Sequence, residues 1–511
     1  MRILLIGLQP EGNSHNTLAI GYLKTYADKN LAGKADIRLF DAELDGGHRA
    51  PLLKLVGSFQ PDIIGFSCYL WNIEEVAALC ARIRRKSGAI IVLGGPEMHG
   101  DCAAALKRTG ADVAVVGEGE ATFLELAQRV LAGRPLAGLP GALVRAKKGF
   151  VRGPERPFIA DLNDIPSPYL AGLYDNFPNE RFILETLRGC RWNCAFCVWT
   201  HKQSRQRFFS MDRIRQEAAW FRKHARKALL NIIDSDSFDD KPRALELLKC
   251  LRGLSEESQC RVCFQTKLIN WDDEVMRAFN SPLLHIDVGV DSVNPKALAL
   301  ANRPVTVKAI EEKISEFRKY APLALLTPQM MYAMPGDTFE EQCGVLDWAW
   351  RQDVVGRVFS HTQILPGSRY EANAKELGLK YRGHSPRSVL ATKQCSAREI
   401  KEMDRLVFFI CLWRGNNLIS EKFKAVAQKF FGNSHTRALR AISGFLPAPG
   451  RKIMEAAFAK WEKDNKYEGN AIQANNPFTW RGQDERRLAN AVGQAMVKCL
   501  KAQGTRGRAR A

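Results

Sequence analysis

The sequence predicts the α/β fold class, with two successive regions of alternating strands and helices and then a mostly helical region. Short apolar runs typical of buried parallel strands alternate, through residues 1–375, with segments whose apolar residues recur at helical spacing. From about residue 376 onward the helical pattern predominates. The length of 511 residues fits several domains, and the 46% apolar and 25% charged residues exclude wholesale disorder.

The first region, residues 1–130, is predicted to form a doubly wound, Rossmann-like parallel sheet. The predicted strands are Arg2–Leu8, Ile37–Phe40, Asp62–Ser67, Ala89–Leu93 and Val113–Val116, and the predicted helices are Asn16–Asp28, Asn72–Lys86 and Ala121–Leu131. Such sheets bind ligands at the carboxyl ends of their strands. Small and polar residues follow several of these strands, so we expect a ligand site at that edge.

The second region is predicted to form a partial (β/α)6 TIM barrel with its site at the carboxyl ends of the strands. Its predicted strands are Arg181–Thr186, Ala228–Ile233, Arg261–Thr266, Leu284–Val290, Leu325–Tyr332 and Val358–Ile364. Helical patterns follow at Ala397–Trp413, Arg451–Asp464 and Glu485–Leu500. We therefore expect domains at 1–140, 181–375 and 376–511, with a Gly- and Pro-rich linker over 141–180.

The charge and the apolar runs restrict the location and the partners of the protein. The net charge is +20, and residues 401–511 carry 21 basic and 9 acidic residues, a difference of +12. Such a bias can attract an anionic substrate or RNA, although a solvated basic surface explains it more simply. The run Leu406–Trp413 is far shorter than the ~20 residues of a membrane span, so we expect a cytoplasmic protein that binds no membrane.

Three clustered cysteines carry the most specific signal in the sequence. Thirteen cysteines in a reducing compartment favour metal-binding or catalytic thiols over disulfides. Cys190, Cys194 and Cys197 follow a predicted strand with the spacing CxxxCxxC. Three thiolates can ligate three irons of a cubane [4Fe–4S] cluster and leave the fourth iron without a protein ligand. Structural zinc would need a fourth ligand such as His201. We favour a [4Fe–4S] cluster, with these three cysteines as its metal ligands and catalytic residues.

Over residues 180–375 the chain resembles the radical S-adenosylmethionine (SAM) superfamily, in which this loop follows the first strand of a partial barrel. The strand ends Asp234-Ser235-Asp236, Gln265-Thr266-Lys267 and Gly289-Val290-Asp291-Ser292 match the family in order and spacing. The turns Met334-Pro335-Gly336 and Leu365-Pro366-Gly367 match it as well. The resemblance implies that SAM is bound by Phe196, Asp234, Asp236, Gln265, Asp291, Ser292, Met334 and Pro366.

Residues 1–130 resemble the cobalamin-binding domain that precedes the barrel in many radical SAM enzymes. The resemblance implies that cobalamin is bound by Asn13, Ser14, Ser67, Tyr69, Leu70, Trp71, Gly94, Gly95, Glu97, Gly117, Glu118 and Gly119. The loop after the first strand lacks the Asp-x-His-x-x-Gly pattern that supplies a lower cobalt ligand, so we expect no histidine ligand below the cobalt. Tyr69, Leu70 and Trp71 are expected to cover that face by bulk instead.

The resemblance implies a methyltransferase that uses a 5′-deoxyadenosyl radical and methylcobalamin to methylate an unactivated carbon of a specialised metabolite or peptide. An electron donor such as flavodoxin or ferredoxin is implied as a partner. Two enzymatic alternatives stay open: a non-methylating rearrangement, cyclisation or epimerisation with the same cofactors, and an RNA methylthiotransferase with a second cluster. For that second cluster the sequence offers Cys68, Cys80 and Cys102. A cobalamin sensor without enzymatic activity would leave the cysteine motif unexplained.

Overall fold

The computed structural model describes most of the chain. The described residues are 1–12, 15–177, 180–199, 205–352, 354, 356–416, 418–464, 472–473 and 483–508. The predicted α/β class, with a doubly wound sheet, a partial barrel and a mostly helical carboxy-terminal region, is confirmed.

The amino-terminal sheet has seven strands. They are β1 (Arg2–Gln9), β2 (Asp36–Glu43), β3 (Ile63–Ser67), β4 (Ile90–Gly94), β5 (Val113–Val115), β6 (Ala142–Arg145) and β7 (Phe150–Arg152). Their order is β2-β1-β3-β4-β5-β6-β7, with β1 to β5 parallel and the last two antiparallel. The five predicted strands are confirmed. The β6–β7 hairpin, however, extends this sheet into the segment expected to be a linker.

Helices cover both faces of this sheet. They are α1 (Leu18–Leu31), α2 (Arg49–Phe59), α3 (Ile73–Arg84), α4 (Cys102–Thr109) and α5 (Glu120–Leu131). Alternate residues of β1 face opposite layers: Leu4 and Ile6 pack with α2, α3 and α4, whereas Ile3 and Leu5 pack with α1 and α5. The sequence analysis missed the short helices α2 and α4.

The second sheet forms the partial barrel. Its strands and two short neighbours are β8 (Arg181–Leu184), β9 (Leu187–Arg188), β10 (Arg207–Phe208), β11 (Leu229–Ile232), β12 (Arg261–Thr266), β13 (Leu284–Asp291), β14 (Leu325–Tyr332) and β15 (Val358–His361). Its helices are α6 (Met211–His224), α7 (Lys241–Ser258), α8 (Asp273–Phe279), α9 (Pro295–Leu300), α10 (Val307–Tyr320) and α11 (Phe339–Arg351). Parallel pairing runs β8-β11-β12-β13-β14-β15, which confirms the six predicted strands.

The remaining elements are mostly helices that share one continuous apolar core with the barrel. They are α12 (Arg369–Ala372), β16 (Lys380–Tyr381), β17 (Val389–Ala391), α13 (Ala397–Gly415), α14 (Ser420–Phe430), α15 (His435–Ser443), α16 (Ala448–Asp464), β18 (Ile472–Gln473) and α17 (Gln483–Arg508). Tyr332 at the end of β14 donates a hydrogen bond of 2.8 Å to Asp404 of α13, which ties the two parts together. Within the described residues, no helix combines the length and the apolar character needed to cross a bilayer.

Asp347 of α11 is expected to be a stability determinant because it caps α15 from a buried position. Its carboxylate accepts hydrogen bonds from Ser434 Oγ at 2.5 Å, Thr436 N at 2.9 Å and Thr436 Oγ1 at 2.9 Å. Asp347→Ala would leave these buried donors unpaired, so we expect a loss of about 2–4 kcal/mol in unfolding free energy, measured by denaturant titration. Glu340→Ala on the same helix is the control, since its exposed pair with Arg440 is worth under ~1 kcal/mol. Equal losses in the two variants would contradict this prediction.

Candidate functional site

The carboxyl ends of the two parallel sheets face each other across a common interface. Asn16, in the loop after β1, donates a hydrogen bond of 2.8 Å to the Tyr169 hydroxyl and accepts one of 3.3 Å from Ile183 N of β8. In the loop after β4, Gly100 packs so closely on Pro366 that an added Cβ would lie 2.7 Å from the Pro366 Cβ. Because both sheets bind ligands at these ends, ligands held by the two domains would meet at this interface.

An ion-pair network joins the amino-terminal domain to the barrel at this interface. Arg188, two residues before the cysteine loop, lies 2.7 Å from Glu120, 3.4 Å from Glu118 and 3.0 Å from Glu185. Glu118 also pairs with Arg207. The two guanidinium groups and the three carboxylates pair with one another in a partly buried setting, where a charged side chain needs a partner. The carboxylate of Glu118 is thus engaged by two arginines, and its expected role in binding cobalamin stays a prediction.

The cysteine loop between β9 and α6 is anchored from several sides. Ala195 N donates to Ala301 O at 2.9 Å, and Asn302 Nδ2 donates to Asn193 O at 2.6 Å. Tyr370 N donates to Ala195 O at 2.9 Å. Main-chain contacts of this kind hold the loop in one conformation while leaving all three cysteines free of disulfides.

Cations and main-chain N–H groups surround the three sulfurs. Lys267 Nζ lies 3.3 Å and Arg303 Nη1 lies 3.6 Å from Cys194 Sγ, and Trp199 N donates to Cys197 Sγ at 3.3 Å. Positive charge and N–H donors stabilise thiolates, and hydrogen bonds to sulfur tune the reduction potential of iron–sulfur clusters. These surroundings fit an anionic cluster held by thiolates.

The spacing of the thiols also argues against a single zinc ion at this loop. Among the described residues, the group of three potential ligands whose atoms all lie within 4.8 Å of one another is on β12 and β13 and contains none of these three cysteines. The loop sulfurs are therefore spread more widely than one tetrahedral ion requires. His201, the only nearby fourth zinc ligand considered, lies outside the described residues.

The two aspartates after β11 hold the loop in place, and their expected role in binding SAM stays a prediction. Asp234 accepts hydrogen bonds from Thr186 N at 2.6 Å, Leu187 N at 3.1 Å and Ser237 Oγ at 2.7 Å. Asp236 accepts from Trp192 Nε1 at 3.0 Å and from Thr266 Oγ1 at 2.6 Å. Both side chains are almost fully buried. Their carboxylates join strand ends to the cysteine loop.

Two other expected SAM contacts are buried in apolar packing. The Met334 side chain is inaccessible within the core, so only its main chain could meet a ligand. Pro366 is buried against Gly100 of the other domain, and its expected contact with SAM stays a prediction. Phe196 is half-buried, with its ring centroid 6.2 Å from that of Tyr370, and it stays a candidate.

The ends of β12 and β13 carry two further residues that were expected to contact SAM. Gln265 is exposed at the end of β12. Asp291 ends β13 with φ of 64°, and its Oδ2 lies 2.5 Å from Arg303 Nε. A non-glycine residue in this left-handed region is strained, and strain of this kind concentrates at functional sites. Arg303 therefore lies next to both Cys194 and Asp291.

The turn after β14 contains a buried carboxyl group that predicts a pH-dependent stability. Ser292 Oγ lies 3.4 Å from Asp337 Oδ2, and Asn294 Nδ2 donates to Asp337 Oδ1 at 2.8 Å. Burial raises the pKa of Asp337 from 3.8 to about 7. The group therefore stabilises the fold fully below pH 3.8, and that contribution is lost as the pH rises through about 7.

Asp337→Asn should remove this dependence, because an amide stays neutral and can still accept from Asn294. Relative to wild type, we expect the variant to gain unfolding free energy between pH 4 and pH 8, by about 1.4 kcal/mol per unit of pKa difference and at most ~4 kcal/mol. Denaturant titrations across this range measure the gain. The control is Asp212→Asn, at a side chain that is 85% exposed. A variant-to-wild-type difference that stays constant with pH would contradict the prediction.

The amino-terminal residues expected to bind cobalamin form an open shelf at the ends of β3 and β4. The rings of Tyr69 and Trp71 stack with centroids 4.3 Å apart, and Trp71 Nε1 donates to Leu8 O at 3.1 Å. Leu70 is half-buried beside them. This arrangement gives a flat aromatic surface, and its expected role in covering a cobalt face stays a prediction.

Glycines shape the rest of the shelf. A Cβ added to Gly94 would meet nothing within 4 Å, so this strand end is open to a large ligand. Gly95 has φ of 94°, and a Cβ there would lie 2.6 Å from Cys68 O, so glycine is required for the close approach of the two loops. Gly117 has φ of 80°, while Gly119 begins α5 against Leu23.

Four further residues were expected to contact cobalamin. Ser67 is buried beneath the shelf, where it hydrogen-bonds Tyr69, and Glu97 is half-buried at its rim. Asn13 and Ser14 lie outside the described residues. Lys267 was not predicted as a partner of Cys194, although its position directly after β12, at the carboxyl end of a barrel strand, could have indicated that it lies near the cysteine loop.

Two family models match the chain. The model described as "B12 binding domain" matches residues 11–127, and the model described as "Radical SAM superfamily" matches residues 184–349. The cobalamin-dependent radical SAM methyltransferase TokK of Streptomyces tokunonensis is 33% identical over 264 residues, which cover 48% of this chain and 38% of TokK. An uncharacterized methyltransferase of Pyrococcus horikoshii, PH0819, is 24% identical over 433 residues, which cover 81% of this chain and 91% of that protein. The chain thus matches well under two thirds of TokK.

Solved structures share the fold. The cobalamin-dependent S-adenosylmethionine radical enzyme OxsB, with aqua-cobalamin and S-adenosylmethionine bound, superposes with a TM-score of 0.66 at 15% identity, covering 99% of this chain and 80% of OxsB. The radical S-adenosylmethionine methyltransferase TsrM of Kitasatospora setae superposes with a TM-score of 0.59 at 18% identity, covering 74% of this chain and 77% of TsrM. At these identities the likeness shows the common architecture.

Proposed function

The chain belongs to the radical SAM superfamily and carries a B12 binding domain ahead of its barrel, and from this premise we propose that it is a cobalamin-dependent C-methyltransferase. Its substrate would be an unactivated carbon of a specialised metabolite or peptide. The observation that carries the proposal is the meeting of the two ligand-binding edges, with the cysteine loop on one side and the glycine and aromatic shelf on the other. TokK and PH0819, to which the chain is similar, are named as methyltransferases.

Three groups of residues would hold the cofactors. Cys190, Cys194 and Cys197 would ligate the [4Fe–4S] cluster through three irons. The exposed Gln265 and the buried Asp291 at the strand ends would bind SAM, and the shelf from Tyr69 to Trp71 with Gly94 and Gly95 would bind cobalamin. When bound, these groups supply reductive cleavage of SAM to a 5′-deoxyadenosyl radical and a transferable methyl group. An external donor such as flavodoxin or ferredoxin would supply the electron.

The chain's own residues would position and protect the reactants. Arg303 bridges Cys194 and Asp291, so it would fix the cluster loop relative to the SAM-binding strand end. The Trp192 ring lies under Lys267 Nζ at 3.9 Å and shields that side of the loop from water. The ion pairs of Arg188 hold the two domains together, which would keep the reacting groups at a fixed separation and exclude solvent.

The domain boundaries follow from this proposal with one adjustment. We assign cobalamin binding to residues 1–140 together with the β6–β7 hairpin up to Arg152, because that hairpin completes the same sheet. The radical SAM barrel spans 181–375, and the basic, mostly helical region spans 376–511. The carboxy-terminal region packs on the barrel through a shared core and would shape the substrate pocket.

A methylthiotransferase is the less favoured alternative. The ribosomal protein uS12 methylthiotransferase RimO of Bdellovibrio bacteriovorus is 27% identical over 229 residues, which cover 40% of this chain and 48% of that protein. A second cluster would need accessible thiols in the amino-terminal domain. Cys68, Cys80 and Cys102 are instead buried in its apolar core, at no more than 1% exposure. These positions favour one cluster per chain.

The test uses the full chain, reconstituted anaerobically with iron, sulfide and cobalamin and then supplied with CD3-labelled SAM and a reductant. We expect about four irons per chain, CD3-cobalamin with S-adenosylhomocysteine, and 5′-deoxyadenosine. Mass spectrometry measures the last three. Deoxyadenosine without methylated cobalamin would support a non-methylating rearrangement, cyclisation or epimerisation instead. About eight irons per chain would support the methylthiotransferase.

A further inference from the structure

We propose that the inner wall of the barrel carries a zinc site formed by Cys263, His285 and Asp287, separate from the cysteine loop. The ligating atoms of these three side chains all lie within 4.8 Å of one another. All three are partly exposed, so a metal ion can reach them. The inference does not depend on the proposed function.

The strand register brings these side chains together on one face of the sheet. Side chains alternate along a strand: Leu284, Ile286 and Val288 of β13 are buried, and Val288 lines a cleft with Ile310 and Ile314 of the outer helix α10. His285 and Asp287 therefore point to the concave side. Cys263 of β12 is directly paired with His285 in the parallel register, so its thiol lies beside the imidazole on the same side.

The distances between the ligating atoms fit one tetrahedral zinc ion. His285 Nε2 lies 3.3 Å from Asp287 Oδ1, Cys263 Sγ lies 3.7 Å from the other carboxylate oxygen, Oδ2, and one ligating atom from each residue lies within 4.8 Å of the other two, so a small side-chain adjustment would bring the set to zinc spacing. Zinc bonds of about 2.0–2.3 Å at tetrahedral angles place neighbouring ligand atoms about 3.3–3.8 Å apart. A cysteine, a histidine and a carboxylate are ligand types that zinc prefers.

Charge balance supports the same occupant. A thiolate and a carboxylate together carry two negative charges, which one Zn²⁺ neutralises, while the imidazole binds in its neutral form. Arg261, at the start of β12, is a cation that acts on both Cys263 and His285, so the two anionic ligands have to outweigh its positive charge as well. The site is thus suited to a single divalent ion.

The surroundings supply an orienting partner and an open position. His285 Nε2 lies 2.8 Å from Thr327 Oγ1, so this ring nitrogen already faces the cluster and would exchange the hydroxyl for the metal. Gln329 hydrogen-bonds Asp287, as outer partners of zinc-binding carboxylates do. The side chains of His285 and Asp287 are 30% and 18% exposed, so the fourth position opens into the barrel, where zinc would bind water or a polar group of a small molecule.

The experiment measures zinc in the full chain after its [4Fe–4S] cluster has been reconstituted, so that the thiols of the cysteine loop are occupied. The protein is equilibrated with Zn²⁺ and a competing chelator, desalted, and analysed by plasma mass spectrometry. We expect about one zinc per chain, and zinc X-ray absorption should show a single sulfur at ~2.3 Å with nitrogen and oxygen ligands. Loss of an outer partner alone lowers metal affinity 10–100-fold, so Cys263→Ser, His285→Asn and Asp287→Asn should each lower it by about 100-fold or more.

Cys250→Ser is the matched control, since Cys250 is another half-buried cysteine of the barrel, on α7. It should keep the zinc. Unchanged iron content and circular dichroism show that each variant is folded. The proposal is overturned if wild type holds no zinc above the competing chelator, if Cys263→Ser keeps it, or if absorption shows two or more sulfurs. Because the readout involves neither SAM nor cobalamin, its failure leaves the methyltransferase proposal untouched.

Discussion

Cys194→Ser is expected to lower the iron content from about four per chain to below one and to reduce SAM cleavage by at least ~1,000-fold. Cys194 lies between Cys190 and Cys197 in the loop, and its sulfur is the one that both Lys267 and Arg303 approach. A serine hydroxyl stays protonated at neutral pH and is a poor iron ligand. The two cations would then face each other across the loop without the thiolate between them.

The measurements are the iron and sulfide content, the visible absorption of the cluster, and the amount of 5′-deoxyadenosine that is formed from SAM with dithionite as the reductant. Cys411→Ser is a control for cysteine loss in general, since this thiol is buried in α13 away from the loop. It should keep its iron. A Cys194→Ser protein that retained four irons and wild-type SAM cleavage would refute the assignment of the loop, and the proposed function with it.

Gly94→Val is expected to lower cobalamin binding by at least about tenfold, which corresponds to ~1.4 kcal/mol, while the iron content stays unchanged. Gly94 ends β4 on the shelf beside Gly95, and a side chain there would project into space that the protein leaves open. The fold should tolerate the change, because no protein atom lies within 4 Å of the added Cβ. SAM cleavage should persist without transfer of a CD3 group to cobalamin.

The control for this substitution lies at the opposite end of the same strand. Gly88 precedes β4, and a Cβ there also meets nothing within 4 Å. Gly88→Val adds the same side chain at the edge away from the other domain and should bind cobalamin normally. Tryptophan quenching or absorbance after gel filtration measures bound cobalamin. Equal affinity in both variants would place the cobalamin elsewhere.

Much of the fold could be predicted because its strands are locally encoded. Strands β1 and β3 are buried on both faces and therefore appear as continuous apolar runs, whereas barrel strands such as β13 alternate buried apolar residues with more exposed ones, and both patterns are visible in the sequence. The β6–β7 hairpin was missed because its strands are short and lie in a Gly- and Pro-rich stretch. Its place depends on pairing with β5, a contact that no local pattern reveals.

The candidate site also combines features that the sequence predicts with features that only the tertiary structure shows. The spacing of Cys190, Cys194 and Cys197 is a property of one short loop, so the sequence alone determined the cluster ligands that we propose. The contacts of Asp234, Glu118 and Pro366 within the protein involve partners far along the chain, namely Thr186, Arg207 and Gly100. A carboxylate next to a strand end looks the same in sequence whether it faces a ligand or an arginine. Only the tertiary structure determines which partner the carboxylate has. A buried charge has to be paired, and the packing of distant segments decides which group lies within hydrogen-bonding distance of it.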